Sequence, residues 1–494
     1  MASGMTLPLT SRHAIDEPLE PRRGMICVAL GTALLFVCVT RWPVARSQPF
    51  ESDEFGFLAQ MASHWFPMHH TLFMMLGRAL AVVCGDPYRA LIMLDMFTSA
   101  GAIVSVWWML RAIVRPAIAA AAAILLGAGP VFWGYGAMAA NYTAIVLVGS
   151  FLLGVAYRGQ SFPRGWQPFA AAVVLAIGTG YRPDIGTYWL PVFGVILWQH
   201  RWNRAIAAGV LFTVVNLTWL SAMLYDVGGW AQYRAASAEF AHQAGYLNSV
   251  WNLGFVDGPA RYAVKLGMGL AWTLGPALLF VPVGIWRLTR HGLVKGRAGS
   301  TDKLEPPAIG KPDEQRDLSP PSNEGVRVGR LRATYYRISG NTLANRRLLC
   351  FLLAISIAPA LACHLLVHFG VAGYSFHYVP ALMVLVALGA GRAPTAESEP
   401  RSLRMPAIGS FRESAPVQLM AIATVLAAMF WFYPTDYRQP GLRGSFDLSF
   451  CRFTRVGLKT PMPERSPEYW RTANSRPLAG TPIRQPTEPR AGEG

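Results

Sequence analysis

Long apolar runs recur along this chain, and they limit its fold more than any other feature. A transmembrane helix needs roughly 17 to 25 mostly apolar residues, and the first run, Gly24 to Thr40, just reaches that length. Further runs follow as far as Val417 to Tyr433. Only 14% of the residues are charged, against about 25% in soluble domains. The pattern predicts an all-α integral membrane protein with about eleven transmembrane helices.

Polar segments divide the membrane region. The predicted organisation is a disordered cytoplasmic tail (1–23), an N-terminal membrane domain (24–286), a basic cytoplasmic loop (287–347), C-terminal membrane helices (348–433) and a polar, disordered tail (434–494). The formal net charge of +17 is explained by basic loops that face anionic lipid. We therefore expect the lipid bilayer, and no nucleic acid, as a partner.

Basic residues predict the orientation, because cytoplasmic loops are enriched in lysine and arginine. With a cytoplasmic N-terminus, the connections that fall inside are all basic: 111–115, 158–164, 200–204, 287–347 and 392–412. The same alternation places polar and aromatic segments together on the other face: the SDEF loop, the YRPD turn, 226–261 and the GVAGYSFH turn. We expect a multi-pass protein of the cell (inner) membrane, with an active site on its periplasmic or extracytoplasmic side.

The first outer loop, residues 41–87, is the predicted catalytic segment. Asp53 and Glu54 follow the first span, and two short amphipathic patterns come after them, separated by Pro67. This arrangement favours two helices in the membrane interface. A carboxylate near lipid is desolvated, which raises its pKa and suits it to act as a general base. We predict that Asp53 and Glu54 are catalytic; the alternative is an ordinary amphipathic loop with solvated carboxylates.

Other residues on the same side are candidates for binding. Arg78 lies in the second amphipathic pattern and can reach a phosphate with its long side chain. Arg182 can bind an anionic headgroup or pair locally with Asp184, and we assign Arg78 and Arg182 to phosphate binding. The predicted substrate-binding residues are His69, His70, Tyr181, Asp184, Tyr374 and His377.

Two further patterns admit a functional and a structural interpretation. His364 and His368 have a spacing that can bind zinc, but no acidic third ligand lies nearby, so we favour a structural or substrate-facing role. We expect no cofactor, although the sequence does not exclude a divalent metal ion. Asp95 lies within a predicted span, where an ionisable group is by default a functional candidate. We favour the alternative, a hydrogen-bonded aspartate that joins helices.

Three short motifs resemble those of a known family. They are H-x-L-x-x-x-L-G-R (His70, Leu72, Leu76, Gly77, Arg78), the GTGYRPD turn and the segment HFGVAGYSFHYVPAL. Together with one span followed by an acidic outer loop, they resemble the GT-C superfamily of polytopic glycosyltransferases. The likeness is to bacterial protein O-mannosyltransferases and lipid A aminoarabinose transferases, and it covers roughly residues 24–435. The chain has fewer predicted spans than the largest members and no evident folded C-terminal domain.

The resemblance implies inverting transfer of a sugar from a polyprenyl-phosphate donor to a lipid, glycan or protein acceptor. Asp53 matches the catalytic acidic position of the family, and Arg78 or Arg182 would steady the departing phosphate. A rival interpretation is a transporter or flippase in which Asp95 and Arg78 line a path through the membrane. A scaffold without chemistry is a third, and loss of Asp53 would then be silent.

Overall fold

The computed structural model describes residues 23–42, 52–64, 66–161, 164–242, 246, 249–290, 342–367, 372–391 and 414–432. The side chains of Asp53 and Glu54 lie outside this description, although the backbone there is helical. The two predicted tails, most of the basic loop at 287–347, and His368 also fall outside the described residues.

Within those ranges the chain is helical and contains no strand. The α-helices are α1 Arg23–Arg41, α2 Ser52–Ser63, α3 Thr71–Cys84, α4 Pro87–Leu110, α5 Pro116–Ala128, α6 Pro130–Tyr135, α7 Thr143–Ser161, α8 Gln167–Tyr181, α9 Pro183–Trp198, α10 Trp202–Asp226, α11 Trp230–Phe240, α12 Val250–Leu253, α13 Asp257–Leu274, α14 Phe280–Arg290, α15 Thr342–Leu366, α16 Val379–Ala390 and α17 Ala415–Phe432. Two 3₁₀ helices, Gly275–Leu279 and Ala372–His377, precede α14 and α16.

The long apolar helices are typical of a multi-pass membrane protein. Among the described residues, six helices are long and apolar enough to cross a membrane: Gly24–Arg41, Pro87–Leu110, Thr143–Gln160, Trp202–Asp226, Gly258–Thr289 and Arg346–Leu366. Shorter apolar helices are Thr71–Cys84, Pro116–Ala128, Gln167–Tyr181, Val379–Ala390 and Ala415–Ala428. The all-α membrane class is therefore confirmed, whereas the count of about eleven spans stays a prediction.

Two predicted spans are broken in the structure. The run Ala117 to Met138 forms α5 and α6, which are separated at Gly129 and Pro130. A side chain on Gly129 would overlap the carbonyl of Thr273, so α13 approaches the backbone at this break. The run Ala263 to Trp286 is interrupted by the 3₁₀ helix that starts at Gly275, whose φ of +52° lies in the left-handed region that favours glycine.

Helices α4 and α7 form the centre of the bundle and run side by side in the same direction. Small residues allow their close approach, since Gly101 packs on Leu147 and Gly154 packs on the Trp108 ring. Helix α4 also packs against α1, α3 and α5, and α7 packs against α8 and α9. These two helices therefore connect α1, α3 and α5 on one side with α8 and α9 on the other.

One end of the bundle, here called the arginine end, comprises the C-terminal ends of α4, α7, α14 and α16. Arg158 Nη2 donates to the Trp108 carbonyl oxygen at 2.6 Å, and Arg287 Nη1 donates to the carbonyl oxygens of Leu388 and Gly391. The last carbonyls of a helix lack intrahelical donors and carry partial negative charge. Arginines therefore cap the helices at this end.

Candidate functional site

The opposite end, here called the polar end, centres on the turn between α8 and α9. Arg182 precedes Pro183, and its extended backbone (φ −155°, ψ 114°) is the conformation that a residue before proline prefers. Its side chain is buried, and Nε donates to Asp184 Oδ2 at 2.9 Å. Its guanidinium carbon lies 3.7 Å from the centre of the Tyr142 ring and 5.2 Å from that of Tyr374. The cation is held by an ion pair and by two aromatic faces.

Asn141 connects this cation to α7 and to the first loop. Its Oδ1 accepts from Arg182 Nη1 at 2.7 Å, and its Nδ2 donates to His70 Nδ1 at 3.0 Å. The Asn141 backbone is left-handed, with φ +50°, a conformation that asparagine tolerates better than most residues. The turn before α7 therefore places one amide between the buried Arg182 and the half-buried His70.

Asp95 on α4 fixes that turn. Its Oδ2 accepts the backbone N–H groups of Ala140 at 2.8 Å and Asn141 at 2.9 Å. The residue is fully buried, and a carboxylate is a strong acceptor for backbone amides. These bonds agree with the favoured sequence interpretation, in which Asp95 joins helices.

His70 brings the first loop to the polar end. Because its Nδ1 accepts from Asn141, its proton lies on Nε2. Burial, and then the charge of Arg182, lowers the pKa of His70 to about 3, so the ring is neutral. The Phe57 ring on α2 contacts His70 edge-on, with centroids 5.1 Å apart. Helix α2 is thus packed directly on this cluster.

His377, which ends the second 3₁₀ helix, completes the cluster. Its Nε2 donates to Asp184 Oδ2 at 3.2 Å, so one carboxylate oxygen accepts from both Arg182 and His377. Burial lowers the pKa of His377, although the Asp184 charge opposes this effect. Among the described residues, His377 Nδ1, Asp184 Oδ1 and Ser375 Oγ are buried and have no hydrogen-bond partner. They offer acceptor atoms, and one hydroxyl, to a ligand.

Aromatic rings surround His377. Tyr188 meets it edge-on at 4.5 Å between centroids, and the His364 ring lies 5.7 Å away. His364 Nδ1 is 2.8 Å from the Tyr378 hydroxyl oxygen. The His364 ring packs against the Tyr374 ring, with centroids 5.3 Å apart. No group of three or more potential metal ligands occurs in the described part of the chain. These contacts give His364 a packing role.

The predicted site residues fall into three groups. The structure brings together Arg182, Asp184, Tyr374, His377, His70 and the backbone of Tyr181. His69, half-buried and with φ +67°, precedes His70 at the edge of this group. Arg78 lies apart from it, and its Nη2 donates to the His64 carbonyl oxygen at 2.6 Å.

Asp53 and Glu54 form the third group. Position 53 lies one helical turn before Phe57, and Phe57 and Met61 are buried on one face of α2. Residues four apart share a helical face, so position 53 continues the face that reaches His70. Its side chain, like that of Glu54, is outside the description, and their catalytic role stays a prediction.

Sequence reasoning missed Asn141, Tyr142 and Tyr188 as members of the site. Asn141 is noticeable in the sequence only as part of an Asn-Tyr-Thr sequon, which indicates nothing about a buried amide. Tyr142 and Tyr188 resemble the many other aromatic residues of a membrane protein. Comparison with family models, with curated proteins and with solved structures found no match to the chain.

Proposed function

We propose that this protein is an inverting, GT-C-like glycosyltransferase that moves a sugar from a polyprenyl-phosphate donor to a lipid, glycan or protein acceptor. One observation carries the proposal: His377 Nδ1, Asp184 Oδ1 and Ser375 Oγ are buried and have no hydrogen-bond partner within the described ranges. Leaving a buried polar atom unsatisfied costs about 1–3 kcal/mol. A ligand rich in hydroxyl groups would satisfy all of them, because Nδ1 and the carboxylate accept hydrogen bonds and Ser375 both donates and accepts.

The position of the polar end supports a lipid-linked substrate. It lies at one end of a bundle whose helices are apolar enough to span a membrane, and the arginine end lies opposite. By the positive-inside rule the arginine end faces the cytoplasm. The polar end then lies on the periplasmic or extracytoplasmic side, where a polyprenyl chain in the bilayer presents its sugar to the protein.

In the proposed reaction, the acceptor hydroxyl oxygen bonds to the anomeric carbon from the face opposite the phosphate. The bond between that carbon and the phosphate oxygen breaks, and polyprenyl phosphate leaves with the electron pair. Asp53, on the α2 face that continues to Phe57, takes the hydroxyl proton. Asp184 and His377 hold sugar hydroxyls, and the positive charge of Arg182 stabilises the departing phosphate.

The transporter alternative is less well supported by the same residues. A transport path lined by Asp95 and Arg78 needs their polar groups to face it. Asp95 Oδ2 accepts two backbone amides, and Arg78 Nη2 donates to a backbone carbonyl. Both side chains join parts of the protein to each other.

Native mass spectrometry of the detergent-purified protein tests the proposal. Wild type, Asp53→Asn and His377→Gln would each be exposed to a panel of polyprenyl-phosphate sugars, with and without acceptor extract. We expect Asp53→Asn to retain one sugar-lipid that the wild type converts to polyprenyl phosphate, and His377→Gln to bind it more weakly.

Asp86→Asn is the matched control. Asp86 Oδ1 caps α4 by accepting the Tyr88 N–H at 2.9 Å, and asparagine caps a helix equally well. This variant should behave as wild type. The proposal fails if no form binds a sugar-lipid, or if wild type and Asp53→Asn consume it equally.

A further inference from the structure

Arg41, the last residue of α1, is a buried cation without a counter-charge among the described residues. Its side chain is fully buried, and its one hydrogen bond to the described part of the chain is long, from Nη2 to the Gly127 carbonyl oxygen at 3.4 Å. The guanidinium carbon lies 5.4 Å from the centre of the Phe132 ring. Within the described residues, Nε and Nη1 are buried and have no hydrogen-bond partner, and no carboxylate lies within ion-pair distance.

This environment differs from those of the other buried arginines. Arg158 donates to a carbonyl oxygen at 2.6 Å, and Arg182 forms an ion pair with Asp184 at 2.9 Å. An arginine side chain stays protonated in proteins, and a buried, unpaired charge costs several kcal/mol. The charge of Arg41 therefore calls for an anion that the described residues do not supply.

A second unsatisfied group lies beside Arg41. Ser99 Oγ on α4 is fully buried and also has no partner among the described residues. Both side chains converge on Gly136, since a Cβ added there would be 2.6 Å from Arg41 Nε and would also overlap Ser99 Oγ. The guanidinium Nε of Arg41 and the Ser99 hydroxyl thus meet between α1, α4 and the end of α6.

We propose that Arg41 and Ser99 form a binding site for a tetrahedral oxyanion of the phosphate class. A guanidinium presents several donors in a fixed plane, which suits phosphate oxygens, and the serine hydroxyl adds one more donor. The site shares no donor with the cluster around Arg182. It goes beyond the proposed transferase reaction and does not depend on it.

The phosphate can belong to a lipid headgroup or be free in solution. Helix α1 exposes apolar side chains, including Val28, Leu35 and Val39, against which acyl or prenyl chains can lie. Arg41 continues the opposite, buried face of the helix, which also carries Ala33 and Val37.

The test compares wild type, Arg41→Met and Ser99→Ala. Melting temperatures are measured in detergent with inorganic phosphate, and with sodium chloride at equal ionic strength. We expect phosphate to raise the wild-type melting temperature to a plateau that chloride does not reproduce. Ser99→Ala should need more phosphate for the same shift. Arg41→Met should show no shift, and without phosphate it should melt no lower than wild type, because it removes an unpaired buried charge.

Arg158→Met is the matched control, because it removes a buried arginine that already has a carbonyl partner. It should melt lower than wild type and keep the phosphate response. A second arm adds phosphatidic acid in mixed micelles, with diacylglycerol as its uncharged counterpart. A shift with phosphatidic acid alone identifies a lipid source, and a shift with inorganic phosphate identifies an anion free in solution.

A phosphorus assay after extensive detergent washing measures any phosphate that copurifies with the protein. Phosphorus retained by wild type and absent from Arg41→Met supports the site. The proposal is overturned if Arg41→Met melts below wild type and keeps the phosphate response. It is equally overturned if neither the melting temperature nor the retained phosphorus distinguishes the two proteins.

Discussion

Replacing Asp95 by alanine should destabilise the protein and displace the turn that carries Asn141. The Asp95 carboxylate accepts the amides of Ala140 and Asn141 through one oxygen, Oδ2. In the alanine variant both N–H groups stay buried and lose their acceptor. Because Asn141 connects Arg182 to His70, the loss should also weaken ligand binding at the polar end.

The magnitude follows from those two bonds. Each buried N–H left without an acceptor costs about 1–3 kcal/mol, so Asp95→Ala should lose about 2–6 kcal/mol of unfolding free energy. Asp95→Asn keeps an acceptor oxygen but loses its charge. Hydrogen bonds to charged groups contribute about 1 kcal/mol more than neutral ones, so this variant should lose about 2 kcal/mol.

Unfolding in mild detergent, followed by circular dichroism, measures these differences. Ser105→Ala is the matched control, because Ser105 Oγ also connects α4 to α7 through one neutral bond to the Leu147 carbonyl oxygen at 3.1 Å. It should lose only about 0.5–1.5 kcal/mol. An Asp95→Ala variant no less stable than Ser105→Ala would refute the assignment of the turn to Asp95.

Two further predictions concern pH and packing. The pKa of His70 is about 3 in the folded protein and about 6.5 when unfolded, so below about pH 6.5 only the unfolded state gains its proton. Through this residue, the free energy of unfolding should fall by about 1.4 kcal/mol per pH unit as the pH drops from about 6.5 towards 3. When unfolding is measured at several pH values, His70→Gln should lose less stability per pH unit than wild type. An equal slope in the two proteins would contradict a neutral His70. Gly149→Ala should destabilise by about 1–3 kcal/mol, because its Cβ would overlap the buried Trp189 ring. Gly194→Ala on α9, where an added Cβ meets nothing within 4 Å, should leave the thermal unfolding temperature unchanged or raise it slightly, because alanine favours a helix more than glycine does; equal effects of the two substitutions would contradict this packing.

Much of the helical framework could be predicted from the sequence. The two helices of the first loop and the turn at Pro183 occur where the amphipathic patterns and the proline indicate. The breaks at Gly129 and Gly275 were not predicted, because hydropathy continues through them. They arise where another part of the chain, the Thr273 carbonyl or the Leu426 side chain, comes close to the glycine.

The candidate site was only partly predictable, because its decisive contacts join distant positions. His377 and Asp184 are 193 residues apart in the sequence, and no local pattern connects them. Asn141 acquires its role from a left-handed backbone held by a carboxylate on another helix. In the sequence, Arg41 is indistinguishable from an ordinary basic residue at the end of a span. It is distinguished only by its burial and by the lack of a counter-charge among the described residues.

Helices α14 and α16 touch through their backbones, and this has a mechanical consequence. A side chain on Gly284 would overlap the Leu385 carbonyl, and one on Gly389 would overlap the Phe280 carbonyl, while Arg287 ties the two C-terminal ends together. Because the two helices are in backbone contact at these positions, a displacement of α14 would also displace α16. Helix α16 begins at Val379, two residues after His377. A displacement of α14, caused by the basic segment that follows Arg290, would therefore be transmitted through α16 to His377 at the opposite end of the bundle.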